Sequence, residues 1–392
     1  MRKVFLQLKA ECQRLGAKIV FASADRLIVT TGKAALPAAQ AAVAYIVKAL
    51  RDKPLFEHIE LAPVQLWSYL LWMDAANYGG IVTQQQDADS GAPGEPRIEM
   101  LWNIKDYLPP VVQPRFELAV AEFIYKLASF HAQLRARLPH APEQPDVIDN
   151  VHSDDDDDSQ SALAMKGSFY KRLIGQHFTR KLLAALPEIR QQCAPAHRHD
   201  AATQFPRLPG SALRPRADAA LEFVKHVCAV FALDTPATNF VRVMRRNLLA
   251  LLETGEFAPQ AEFVSPCSRL VLPRVVCDAC NYCRDMDFCR DADLLADAEW
   301  LCLGCAGAYD RLRIEERLIE QLHALLLAYQ TQDLVCAKCR LMKQDNFSLQ
   351  CTACAGKYAT TISPDSVRAQ VAVYLDVAQI NRLTMLHDLA SW

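Results

Sequence analysis

Four Cys-x2-Cys pairs constrain this chain more than any other feature: Cys277/Cys280, Cys302/Cys305, Cys336/Cys339 and Cys351/Cys354. Each pair brings two thiols from one tight turn to one point. Two such pairs make a closed set of four thiolates, the tetrahedral arrangement of structural zinc sites. Four pairs in succession therefore predict two metals. Zinc, redox-silent and tetrahedral, is the first expectation at both sites. A four-cysteine set equally holds an iron–sulfur cluster, which is the alternative to zinc. Cys283 lies three residues beyond Cys280, so Cys280/Cys283 competes as a choice of pair. Cys267 and Cys289 have no such partner and read as free buried thiols.

The redox setting bears on this reading, because 14 cysteines in a secreted chain would suggest disulfides. The opening MRKVFLQLKAECQRL has no apolar core of signal-peptide length and no small-residue cleavage site. No apolar run is long enough to span a bilayer, so no membrane partner is expected. A reducing compartment is the expectation, where paired cysteines bind metal more often than they oxidise. The 392 residues suggest two or three domains, and the 51% apolar content supports a sizeable core. A formal charge of −2 gives no global field toward nucleic acid.

Along the chain, Val4, Leu8, Cys12 and Leu15 have helical spacing, closed by Gly16. Lys18–Ala22 and Leu27–Thr31 read as a β-hairpin, followed by an Ala-rich helix over 36–52. Trp67, Tyr69, Trp72, Met73 and Tyr78 read as core aromatics, with Gly79-Gly80 as a turn. Residues 83–97 read as a loop and 114–138 as a long helix, on which His131 is given no role. Five adjacent carboxylates, Asp154 to Asp158, mark 139–161 as a disordered acidic insertion. Residues 166–187 read as a basic helix and 194–216 as a proline-rich loop. Two further helices follow at 217–232 and 237–253. The second carries Arg242, Arg245 and Arg246, which read first as a solvated face and second as candidate nucleic-acid contacts. Amphipathic helices are expected over 310–330 and from Ser363 onward, with Ser363 as N-cap and Pro364 at the first helical position. Their apolar stripes exceed what two knuckles can cover, which suggests a partner surface.

The segments FPRLPGSALRPRADAALEFVKHVCAVFALD (205–234), PCSRLVLPRVVCDACNYCRDMDFCRD (266–291), WLCLGCAGAYD (300–310) and QDLVCAKC (332–339) resemble the C-terminal module of the DNA polymerase epsilon catalytic subunit family. Upstream, LGAKIVFASADRLIVTTGK (15–33), LLWMDAANYGGI (70–81) and WNIKDYLP (102–109) resemble the tail of that family's second, inactivated B-family polymerase module. The resemblance implies an α+β fold. It places an inactivated palm-like region at 1–138 and a helical thumb-like region at 162–265. A C-terminal two-site zinc-binding module at 266–392 completes it, with amphipathic helices around two four-cysteine knuckles.

In active relatives a palm hairpin carries two aspartates in a Tyr-Gly-Asp-Thr-Asp pattern, holding two metal ions. Here Phe21-Ala22-Ser23-Ala24-Asp25 matches it. Ser23 stands where the first carboxylate belongs and only Asp25 remains, so no nucleotidyl transfer is expected. The last cysteine pair has two intervening residues where some family members have one, which touches the ligand role of Cys351. Implied partners are the B subunit of the polymerase, the replicative helicase complex, and DNA through the whole holoenzyme, all in the nucleus. A zinc-dependent DNA-binding module is the alternative. The chain reads as a truncated or split polypeptide.

Overall fold

The computed structural model describes residues 2–22, 26–33, 35–57, 59, 61–83, 97–137, 164–194, 200–209, 218–266, 269–291, 294, 299–343 and 347–392. Ser23, Asp25, nearly all of the 83–97 loop, the acidic run Asp154–Asp158 and Cys267 lie outside the described residues. The chain divides into two compact units. One comprises Met1–Trp102, Glu117–Ala184 and Val227–Leu251; the other comprises Asn103–Phe116, Ala185–His226 and Leu252–Trp392. Helices alternate with small antiparallel sheets in both.

In the first unit, α1 (Arg2–Arg14) leads into the β1 (Lys18–Ala22)–β2 (Leu27–Thr30) hairpin and α2 (Leu36–Arg51). Gly16, at φ +90, ends α1 in a conformation that a side chain would strain. Leu8, Cys12, Ile46, Leu50 and Phe56 close a local core. A three-stranded sheet follows, β3 (Trp67–Asp74), β4 (Asn77–Val82) and β5 (Arg97–Trp102), with β4 central.

Gly79 and Gly80 do not form the turn expected of them; both sit inside β4. A Cβ on Gly79 would lie 3.0 Å from Ile124 Cδ1 on α3 (Gln113–Arg137), and one on Gly80 would lie 2.1 Å from the Tyr69 carbonyl oxygen. The two glycines therefore permit a close approach rather than a reversal. His131 stacks on Tyr69 at 5.6 Å. Helix α4 (164–192) contains a π-helical stretch at Lys171–Phe178, where the Thr179 hydroxyl donates to the Ile174 carbonyl at 2.7 Å. Phe178 and Phe123 pack on Phe231 of α5 (Ala219–Phe231), the latter ring stacked at 3.9 Å. Helix α6 (Thr238–Leu251) buries Val241, Met244, Leu248 and Leu249.

The second unit carries the four Cys-x2-Cys pairs. Strands β6 (Val271–Val276) and β7 (Cys283–Asp287) form a hairpin before α7 (Arg311–Gln330). Strands β8 (Leu334–Cys336) and β9 (Tyr358–Thr360) pair before α8 (Pro364–Asn381) and α9 (Thr384–Ser391). Asp310 caps α7 by accepting from the Leu312 and Arg313 N–H groups, and Ser363 caps α8 with Pro364 in its first turn. The helix expected from Ser363 onward breaks in two at Arg382, whose left-handed φ of 56 lets its N–H return to the Ala378 carbonyl. Buried Glu315 then accepts from the Leu386 N–H in the first turn of α9, where a carboxylate is favoured.

The stripes of α7 and α8 are largely consumed by one another. Ile314, Leu318 and Leu322 join Tyr374, Val377, Ala378 and Leu386 in one core with Phe288 and Trp300. Exposed apolar surface lies elsewhere: Leu341 and Met342 are half-exposed on the second knuckle, and Phe347 and Leu349 are almost fully so.

Candidate metal centres

The four Cys-x2-Cys turns share one local geometry. The carbonyls of Cys277, Cys302, Cys336 and Cys351 accept from the N–H groups of Asn281, Ala306, Arg340 and Ala355, at 2.8 to 3.0 Å. The N–H groups of the same four cysteines donate to the carbonyls of Tyr282, Gly307, Leu341 and Gly356, at 2.8 or 2.9 Å. The residue after the second cysteine is left-handed in every turn, with φ of 58, 56, 63 and 54. That reversal points both thiols to one side while keeping the backbone paired.

The turns then combine two by two. Cys277 Sγ lies 3.6 Å from Cys305 Sγ, and Cys280 Sγ lies 3.6 Å from Cys302 Sγ. In the second knuckle Cys336 is 3.4 Å from Cys354, and Cys339 is 3.5 Å from Cys351. Within each set of four, all sulfurs lie within 4.8 Å of one another. A tetrahedron of sulfurs about 2.3 Å from one zinc has edges of about 3.8 Å, so the two donor sets fit a single ion each.

The electrostatics fit as well. Burial raises the Cys302 thiol, but the N–H groups of Gly304 and Cys305 outweigh it and bring it down to about 6. The Cys339 N–H does most to hold Cys336 down to about 6. Cys280 goes the other way. The Tyr282 N–H favours its thiolate, yet the neighbouring thiols, Cys305 foremost, push it up to about 12. Four crowded sulfurs cannot all ionise by themselves; a dication removes that repulsion.

Cys283 is exposed on β7, paired with Val276, and does not join the first cluster. Cys289 is a core residue whose thiol is pushed up to about 12, chiefly by burial. Arg242 and Arg246 are exposed on α6, and Arg245 is half-buried there.

Second-layer residues fix the knuckles to the helices. Arg311 lies 4.5 Å over the Trp300 ring and also donates to the Asn381 carbonyl. Arg317 donates to the Pro273 carbonyl at 2.7 Å, and Gln321 to the Val271 carbonyl at 3.0 Å. Around the second knuckle, Gln332 accepts from the Ile362 N–H and donates to the Ile362 carbonyl. Gly356 is the tightest point. A Cβ there would meet Cys336 Sγ at 2.7 Å and Lys338 Cβ at 2.9 Å. None of the four left-handed positions is a glycine, so residue type alone does not mark them.

Residues 1–81 match a family model described as a domain of unknown function, DUF1744. Residues 260–328 and 330–388 match two models, each described as a zinc finger domain of DNA polymerase-epsilon. The DNA polymerase epsilon catalytic subunit of Schizosaccharomyces pombe is 34% identical over 398 residues, covering 99% of this chain and 18% of the relative. Its counterpart in Debaryomyces hansenii is 32% identical over 399 residues, covering 99% of this chain and 17% of the relative. A DNA polymerase epsilon catalytic subunit of Arabidopsis thaliana is 31% identical over 394 residues, covering 100% and 17%. The chain thus spans less than a fifth of the length of these relatives. With both zinc-finger domains present and this identity running along nearly its whole length, the chain belongs to the DNA polymerase epsilon catalytic subunit family, corresponding to its C-terminal part.

Proposed function

We propose that this chain is a non-catalytic, metal-organised docking region of a nuclear replicative polymerase. Cys277, Cys280, Cys302 and Cys305 would hold one Zn2+, and Cys336, Cys339, Cys351 and Cys354 a second. The ions would supply crosslinks, since four thiolates leave no open position for a substrate or water. The observation carrying this reading is the pair of closed four-sulfur clusters, set beside exposed Leu341, Met342, Phe347 and Leu349. Sulfur separations of 3.4 and 3.5 Å in the second cluster favour one ion over a 4Fe-4S cluster. In a cubane, an iron stands between each thiolate and the cluster centre and spreads the sulfurs further apart.

The apolar surface of the second knuckle would seat the polymerase B subunit, and through it link to the replicative helicase complex. DNA would be reached through the assembled holoenzyme. Residues 1–138 would be the palm-like remnant and 162–265 the thumb-like one, with 139–161 an acidic insertion and 266–392 the metal module. Ser23 in place of a carboxylate, beside Asp25, supports the loss of nucleotidyl transfer. Co-purification with the B subunit tests the docking role. Replacing Cys336 and Cys339 by serine together should abolish it, while a Cys283→Ser variant should bind as the parent does. Undiminished binding after both metals are lost would rule the reading out.

A further inference from the structure

A cleft unconnected with the cysteines lies in the first unit, between α3 and the π-helical stretch of α4. Its volume is about 670 Å3, within the range of small-ligand sites. Its walls combine two chemistries. Tyr125, Phe130 and Phe169 supply aromatic surface, with Tyr125 half-exposed. Lys126 and Arg172 supply the cationic side with the His177 ring beside them, and no carboxylate is among the lining residues. Phe130 and Phe169 lie face to face at 3.8 Å with an interplanar angle of 4°, a rigid platform from two helices.

The charges are not equivalent. His177 hydrogen-bonds Glu122 at 2.7 Å, and Lys126 lies 3.8 Å from the same carboxylate, which partly neutralises Lys126. Arg172 is exposed and has no ion-pair partner among the described residues. It projects from the π-helical stretch, a distortion that appears frequently at functional sites.

We propose that this cleft binds single-stranded nucleic acid, with Arg172 and Lys126 on backbone phosphates and the Tyr125/Phe130/Phe169 wall receiving a base. Stacking surface beside a cationic edge is the combination by which strands are held without sequence preference. Duplex would be excluded from the aromatic wall, because its bases are already stacked.

Fluorescence anisotropy of the full chain with labelled oligothymidylate, and in parallel oligouridylate, tests this. Arg172→Glu should weaken binding about tenfold and flatten its salt dependence, each lost phosphate contact removing about 0.7 from the log–log slope. Arg51→Glu, exposed on α2 away from the cleft, should bind as the parent, with unchanged melting in both variants. Phe169→Leu, which keeps an apolar filler, should weaken the oligonucleotide but leave inorganic polyphosphate unaffected. Chelating the metals should leave affinity unchanged, separating this site from the docking role. Equal affinity in Arg172→Glu and the parent, equal loss in Arg51→Glu, or loss on chelation would each overturn the proposal. A preference between the two oligonucleotides would identify DNA or RNA as the strand bound.

Discussion

Gly356→Ala offers a selective perturbation of one metal site. The added methyl would sit 2.7 Å from Cys336 Sγ, 2.9 Å from Lys338 Cβ and 3.3 Å from Cys354 Sγ. Neither sulfur has room to retreat, since Cys336 and Cys354 are already 3.4 Å apart and each is tied to a turn. The Gly356 carbonyl accepts from the Cys351 N–H at 2.9 Å, so backbone movement would loosen a third ligand as well. Overpacking of this kind costs about 1–3 kcal/mol. If all of it falls on the metal-bound state, zinc affinity at the second site drops about 5- to 150-fold. Competition with a chromogenic chelator reads the two sites separately. One zinc should leave the variant at lower chelator concentration, and the other at the concentration seen for the parent. Gly255→Ala is the control, because its nearest neighbour, Ala258 Cβ, is 3.9 Å away. Unchanged zinc release, or equal weakening of both sites, would refute the packing argument.

Other substitutions probe the same frame. Ala306→Gly should stabilise the fold by about 1 kcal/mol, since glycine relieves the left-handed φ of 56, and Ala306→Val should do the opposite; thermal melting reads both. Arg311→Ala removes a ring contact and a hydrogen bond to a carbonyl, and should cost about 2 kcal/mol in chemical denaturation. Leu318→Ala empties a fully buried position in the α7 core and should cost about 2–5 kcal/mol by the same assay. At Glu122 burial acts to raise the carboxyl, but Lys181 first and His177 next outweigh it and hold it below 4.5. Its contribution is therefore present above the unfolded value and lost as pH falls through the lowered folded one. Glu122→Gln should flatten the fall in stability below about pH 4.5.

Much of the frame was legible from residue spacing. The β1–β2 hairpin, the long helices and the four cysteine turns follow from periodicities and pairs that local chemistry dictates. The Ser363 cap belongs to the same class. What was hidden depends on distant contacts. Gly79 and Gly80 look like a turn until Ile124 and the Tyr69 backbone are placed against them. The break at Arg382 rests on a left-handed residue that is not glycine, as do the turns at Ala306, Arg340 and Ala355. At Ala306, Arg340 and Ala355 the knuckle turn imposes that conformation against local preference, so no propensity reveals it. The apolar stripes of α7 and α8 were correctly located, but their partner is largely each other. Exposed apolar surface lies instead at Phe347 and Leu349 on the second knuckle.

The central claim is that two mononuclear zinc ions, each within four thiolates, hold the C-terminal module in shape. Elemental analysis of the purified protein, taken with its visible absorption spectrum, tests that claim most directly. We expect two zinc ions per chain and a colourless protein. Iron with acid-labile sulfide, or a single metal per chain, would contradict it.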